Sequence, residues 1–130
     1  MAVTINHRKR VENYFIAWKK YDINLLKSIF SPIAKYIIRG KCIYNGIDDI
    51  IRYWTRNQKR QKNIRLYWKI INSNSRNEIV EFRAYFFDLE ENVYNKINGR
   101  IIFEYNNKNE IVRLSEAYRK SINQSRVFVI

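Results

Sequence analysis

NGRIIFEYNNKNEIVRLSEAY, residues 98–118, reads as two strands joined by a polar turn, and most of the architecture follows from that reading. Ile101, Phe103 and Tyr105 alternate with Ile102 and Glu104 before NNKN, and Val112, Leu114, Glu116 and Tyr118 alternate with Arg113, Ser115, Ala117 and Arg119 after it. A period of two places every second side chain on the same face of a sheet, and a four-residue asparagine-rich break is short enough for a hairpin. Working backwards, the same period holds over 78–89 and 64–72, separated by NSNSRN and EENVYN. With Lys96–Tyr105 and Glu110–Ser121 these segments predict four long antiparallel strands.

Upstream, the period lengthens. Val11, Tyr14, Phe15 and Trp18 recur at three- and four-residue intervals, the spacing of one helical face, over a helix predicted to start at an Asn6 cap and run to about Lys20. Asp22 is a cap for a short second helix with Leu25, Leu26, Ile29 and Phe30 as its stripe, stopped by Ser31-Pro32. Ala34–Arg39 and Lys41–Tyr44 read as short strands about a turn at Gly40. Gly46 opens a third helix with Asp48 and Asp49 at its positive end and Arg56, Lys59, Arg60 and Lys62 at its negative end. Its apolar stripe is Ile47, Ile50, Ile51 and Trp54.

The chain has 130 residues, 46% of them hydrophobic, the size of one ordinary domain that needs no disulfide or metal to hold its core. Residues 1–122 are expected to form it, and 123–130, ending in Val127, Phe128, Val129 and Ile130, to form a tail. That tail docks on the domain, adds a strand, crosses to a partner subunit or plugs a pocket. Cys42 is the only cysteine, which excludes an intrachain disulfide and a thiolate metal cluster and suits a reducing compartment. The opening MAVTINHRKR has no apolar run, and charges interrupt every later one, so the expectation is a soluble, cytoplasmic chain without a membrane partner.

Lys and Arg number 25 against 12 Asp and Glu, a formal charge of +13, enough to attract phosphate backbones at long range. The competing explanation is compositional: 21 Ile and 16 Asn beside 12 Lys mark AT-rich codons, although 13 Arg do not fit that pattern. The strongest basic segment is 52–65, with Arg52, Arg56, Lys59, Arg60 and Lys62; Trp54 within it belongs to the buried stripe, so nucleic acid is possible there but not favoured.

Three strings carry a resemblance to a known family: VENYFIAWKKYDINLLKSIFSPIAKY (11–36), YNGIDDIIRYW (44–54) and the hairpin at 98–118. In this order they resemble the nuclear transport factor 2-like superfamily in its SnoaL-like branch, from Val11 to about Lys120. The resemblance implies an α+β cone: a curved antiparallel sheet with three helices from the N-terminal half closing an apolar pocket. It implies no single activity, since relatives include ketosteroid isomerases, polyketide cyclases, dehydratases, epoxide hydrolases and binding modules without chemistry.

An isomerase of that family needs a carboxylate base near the end of the first strand and a Tyr with a protonated Asp as oxyanion hole. Tyr14 falls where the family places its tyrosine, but Ile38 stands at the base position and Ile101 at the Asp position, which excludes that mechanism. A Tyr-His-Asp dehydratase is disfavoured because the lone His7 sits in a charged run and is expected to face solvent. An Asp-Arg-Asp epoxide relay fails because Glu81 and Arg83 fall on the outer strand face, where a cross-strand or interface ion pair is expected. No spacing suits a metal, and no cofactor is implied.

Glu116 survives, because alignment to the family turns the Leu114 side inward and SnoaL-type cyclases resemble this chain in keeping an acid on a late strand as base. Glu116 is either a general base raised by desolvation, with Tyr14 or Tyr36 as donor, or a core acid bonded to Tyr14, Tyr36 or a tryptophan N–H. Around it Tyr14, Trp18, Tyr36, Trp54, Trp68, Phe82, Phe86 and Phe103 are expected either to line the pocket or to form an ordinary aromatic core. The leading expectation is a homodimeric pocket protein for a small hydrophobic or aromatic ligand, neutral or anionic, with Tyr85, Ile79 and Ile71 on an outer-face dimer contact. The alternatives are a cofactor-independent isomerase, cyclase or dehydratase, and polyanion binding through 52–65.

Overall fold

Asp22 and Gly40 set the first two changes of direction. In a computed structural model that describes residues 5–123, Asp22 accepts the Leu25 backbone N–H at 3.0 Å and caps α2 (Ile23–Ile29), directly after α1 (Ile5–Lys20). Strand β1 (Phe30–Ile38) then turns through Arg39 and Gly40, both left-handed at φ 55° and 68°, into β2 (Cys42–Asn45). Two consecutive positive φ values match the twist of a hairpin. Helix α3 (Gly46–Gln58) crosses to β3 (Gln61–Ser73), β4 (Asn77–Asp88), β5 (Val93–Tyr105) and β6 (Ile111–Asn123). Asn6 lies inside α1 rather than at its cap. The residues from 124 onward, including Val127–Ile130, lie outside the described residues, and β6 runs through Asn123.

Asparagine and aspartate close the long hairpins. Asn74 Oδ1 accepts the N–H groups of Arg76 and Asn77, and Asn106 Oδ1 those of Lys108 and Glu110, each at 2.9–3.0 Å. The middle turn is shorter than EENVYN suggests: Asp88 takes the N–H groups of Glu90 and Glu91 and Asn92 adopts φ 59°, so Val93, Tyr94 and Asn95 are already strand.

The six strands form one open sheet in the order β2-β1-β6-β5-β4-β3. It is mixed, not wholly antiparallel: β1 runs parallel to β6, with Ile38 opposite Glu116. Alternation fixes which face a side chain takes but not which strand lies beside it, so this pairing left no trace in the periodicity. The helices cover the inner face, where Val11, Tyr14, Phe15 and Trp18 meet Leu26, Ile50, Trp54, Val80, Phe82, Ile101, Phe103 and Leu114, all buried. None of the described helices is long and apolar enough to cross a membrane.

His7 is buried at 2% exposure, contrary to the expectation from its charged neighbours. Its ring stacks on Tyr105 with centroids 3.8 Å apart, and Nε2 lies 3.0 Å from Asn109 Oδ1. The β5–β6 turn, about a hundred residues away in sequence, folds back over the start of α1. Beneath it Tyr105 donates to the fully buried Glu78 at 2.7 Å, and Ser73 donates to the same carboxylate at 3.2 Å. His7→Ala should cost about 2 kcal/mol, one stacked ring and one hydrogen bond. A urea midpoint equal to that of the parent would contradict this packing.

Candidate functional site

Between α1, α3 and the inner face of the sheet lies a cavity of about 140 Å³. Tyr14, Tyr36, Trp54 and Glu116 form its buried wall, and Arg60 and Lys120 stand at its solvent side. Tyr14 comes from the helical stripe, Tyr36 from β1, Trp54 from α3 and Glu116 from β6. Their convergence is a product of the β1–β6 pairing, which no local pattern contains.

Glu116 is the chemical centre. On the neighbouring strands its register partners are Ile38 and Ile101, both buried, so it stands between two apolar side chains. It is 7% exposed, and among the described residues none hydrogen-bonds to its carboxyl group. Burial alone pushes its pKa up to about 7. The expected partners are engaged elsewhere: Tyr14 and Tyr36 share a 2.8 Å hydroxyl contact, and Trp18 Nε1 donates to Gln61 Oε1 at 2.9 Å. Bonding of Glu116 to those three groups is therefore not what the fold provides.

The tyrosines are held neutral. Burial, then the negative charge of Glu116, raises Tyr14 well above its ordinary value; burial, then Tyr14 and Glu116, does the same to Tyr36. Tyr53 is raised by the same two causes, burial first. Its ring is 5.6 Å from Tyr36, and Trp54 is 5.5 Å from Tyr14. The cavity thus offers a carboxyl group near half-ionisation at neutral pH, hydroxyls that remain protonated, and aromatic faces around both.

Of the residues singled out from sequence, Tyr14, Trp18, Tyr36, Trp54, Phe86 and Glu116 share this cavity. Trp68, Phe82 and Phe103 do not line it. Trp68 stacks on Phe15 at 5.4 Å, Phe82 packs edge-on against Trp18 at 5.9 Å, and Phe103 packs edge-on against Tyr14 at 5.3 Å. They share the inward face but lie where α1 sits directly on the sheet. Face is legible from alternation, whereas cover is not.

Residues not anticipated include Tyr21, Tyr53, Asn57, Gln61, Asp88 and Tyr118. Tyr53 and Asn57 are four apart on α3, and Tyr118 follows Glu116 by two on β6, so helical and strand spacing already pointed at them. Gln61 accepts from both Trp18 and Tyr21, a role set by tertiary placement, whereas Asp88 closes the β4–β5 turn by accepting N–H groups two and three residues on. Burial raises the Asp88 pKa, but the Glu91 and Glu90 N–H groups and Arg60 outweigh it and hold the carboxyl below its ordinary value.

Several cations of the basic segment already have local partners, although Arg52, Arg56 and Lys59 lie on one exposed side of α3 and its end. Arg60 is held by Asp88 at 2.9 Å, Glu90 at 3.4 Å and Glu91 at 3.6 Å. Arg52 pairs with Asp49, and the Arg56 guanidinium lies 5.9 Å from the Tyr44 ring centre. Lys59 only follows α3, and Lys62 already belongs to β3. Among the described residues, no three His, Cys, Asp or Glu side chains gather as a metal site.

Comparison of the whole chain with solved structures returns the same architecture. SalBIII, the epoxide hydrolase/cyclase-like enzyme of salinomycin pyran-ring formation, superposes at TM-score 0.78 with 14% identity over 90% of this chain and 95% of its own. A type 2 hexachlorocyclohexane dehydrochlorinase, LinA, gives 0.79 and 15% over 95% and 90%. An NTF2-like protein of unknown function from Burkholderia pseudomallei gives 0.76 and 10% over 95% of each chain. The chain has the nuclear transport factor 2-like fold of the SnoaL-like proteins. No model of a protein family matches the sequence, and no curated protein matches it. At identities of 10–15% the likeness to these nuclear transport factor 2-like structures is one of fold, and the chemistry has to be read from the cavity itself.

Proposed function

We propose that the chain binds a compact hydrophobic or aromatic small molecule in this cavity and that Glu116 is its polar anchor. The observation that carries the reading is a carboxyl group buried among aromatic rings without a hydrogen-bond partner among the described residues. A group in that position costs free energy until something bonds to it. The cavity, about 140 Å³, suits one small ring, since an apolar cavity of about 150 Å³ holds benzene. Protonated Glu116 donates to a carbonyl or ether oxygen, and ionised Glu116 accepts from a hydroxyl. An anionic substituent on such a ligand finds Lys120 at the mouth.

The second reading is proton transfer, as in an isomerase, cyclase or dehydratase, with Glu116 as base and Tyr14 or Tyr36 as hydrogen-bond donor. A pKa of about 7 on Glu116 favours it, because a base works best when its pKa lies near the working pH. The chain is also proposed to pair with a second copy through the apolar end of the outer sheet face, where Ile71 and Ile102 are exposed beside Ile79.

Native mass spectrometry of the freshly purified protein, before and after denaturation, reads both points. A recurrent small mass lost on denaturation, and missing from Glu116→Gln, is the expected result. Protein that is always empty, with one-ring carbonyl and phenol compounds failing to bind parent and variant alike, would overturn the binding reading. A purely monomeric spectrum at micromolar concentration would remove the dimer.

A further inference from the structure

The outer face of the sheet carries a second feature, independent of the cavity. Its register places side chains in rows across β3, β4, β5 and β6. One row runs Arg65, Tyr85, Lys96; the next runs Tyr67, Arg83, Asn98, Arg119; the third runs Lys69, Glu81, Arg100. These rows hold six cations against one carboxylate. Glu81 is shared between Lys69 at 3.7 Å and Arg100 at 3.5 Å, while Arg65, Arg83, Lys96 and Arg119 make no ion pair with a described residue.

Aromatic rings sit among those four cations. The Arg65 guanidinium is 5.2 Å and the Lys96 ammonium 5.9 Å from the Tyr85 ring centre, and Arg83 is 5.7 Å from that of Tyr67. Tyr67 is 50% exposed, leaving ring surface open to solvent. This region holds a groove of about 690 Å³ whose lining includes Tyr67, Arg83, Asn98, Arg100 and Arg119. The rows lie about 7 Å apart, twice the rise per strand residue, so successive cations follow an extended anion rather than converge on one point.

We propose that this groove binds single-stranded nucleic acid, with the unpaired cations on phosphates and the exposed face of Tyr67 stacked on a base. Charge complementarity carries the choice of partner. A second copy docked over the same rows would set the cationic field against itself, and like charges facing each other across an interface oppose association. A duplex hides its base faces, whereas a single strand offers them to an exposed ring.

Fluorescence anisotropy with a labelled twelve-nucleotide oligo(dT), its duplex and unlabelled heparin as competitor tests the assignment. Oligo(dT) should bind more tightly than the duplex, and log K should fall with log salt at a slope near −3, about −0.7 for each of four phosphates. Arg83→Glu with Arg119→Glu should weaken binding at least tenfold, and Tyr67→Ala about tenfold with the salt slope kept. Arg52→Glu on α3 should change it less than twofold. Thermal melts check that the exposed substitutions leave the fold intact. Equal affinity for duplex, equal loss on Arg52→Glu, or heparin competing as well per charge as unlabelled oligo(dT) would overturn the proposal. So would the absence of binding together with loss of a dimer in the Arg83→Glu, Arg119→Glu variant, which would hand the face to a second copy.

Discussion

Glu116→Gln should make the protein more stable than the parent at pH 8, by about 3 kcal/mol, and indistinguishable from it near pH 4. In the unfolded chain the Glu116 carboxyl titrates at its ordinary 4.5, and in the fold at about 7. Between those values the folded state holds a proton that the unfolded state has released, so stability falls as pH rises through this window. The favourable contribution of protonated Glu116 is complete below about pH 4.5 and lost above about pH 7. A separation of 2.5 units at about 1.4 kcal/mol each gives the magnitude. Glutamine keeps the shape and never ionises, so the variant lacks this slope. Other titrating groups are common to both proteins and cancel in the difference. Urea midpoints at half-unit steps from pH 4 to 8 read it directly, and at pH 8 the melting temperatures should differ by about 10 °C. Parallel profiles would mean that Glu116 is solvated or partnered in solution.

This sign has a functional meaning. An ionised carboxyl that opposes folding at neutral pH stands between Ile38 and Ile101, where an aliphatic side chain would pack without penalty. Under the proposed binding role, stability surrendered at this buried position is offset by what Glu116 does to a bound molecule. The tyrosine pair acts in the same direction. One of the Tyr14 and Tyr36 hydroxyls donates to the other at 2.8 Å and neither bonds to Glu116, so a ligand that bonds to the acid need not displace a protein group.

How much of this was readable beforehand depends on whether the determinant was local. The Asp22 cap and the turns at Gly40 and 106–109 were, because these residues act on backbone groups within a few positions, whereas the Asn6 cap and the extent of EENVYN were not. The inward face of β6, and with it Glu116, came from the family resemblance, which turns the Leu114 side inward; alternation alone puts Leu114 and Glu116 on one shared face. His7 was misread because its partners Tyr105 and Asn109 are remote in sequence. Trp68, Phe82 and Phe103 were assigned to the right face but not to the right cover. Asp88 reads in sequence only as the polar end of a strand; its bonds to the Glu90 and Glu91 N–H groups are local, whereas its bond to Arg60 exists only in the fold.

Gly99→Ala should cost about 3 kcal/mol or more, the upper end of overpacking penalties. A Cβ at Gly99 would collide with the Ala117 carbonyl oxygen and lie 2.7 Å from Tyr118 Cβ and 2.9 Å from Tyr118 Cα. Two of these obstacles are backbone atoms of the neighbouring strand, so no rotamer change relieves the contact and β5 must move away from β6. The entropy gained by replacing a glycine in the unfolded chain, about 0.4–1 kcal/mol, is too small to offset that movement. Gly40→Ala is the control, because its Cβ would meet nothing within 4 Å and only the positive φ of 68° opposes it, at a cost of about 1–2 kcal/mol. Equilibrium unfolding of the two variants should rank them in that order. The reverse order would show that β5 and β6 separate easily at this point. Gly99 pairs with Phe82 on one side and Tyr118 on the other, in the middle of the sheet and two residues along β6 from Glu116. Moving β5 off β6 there shifts Tyr118, which lines the cavity, so a variant that survives folding should also bind its ligand more weakly, and titrating a ligand found by native mass spectrometry would separate the two effects.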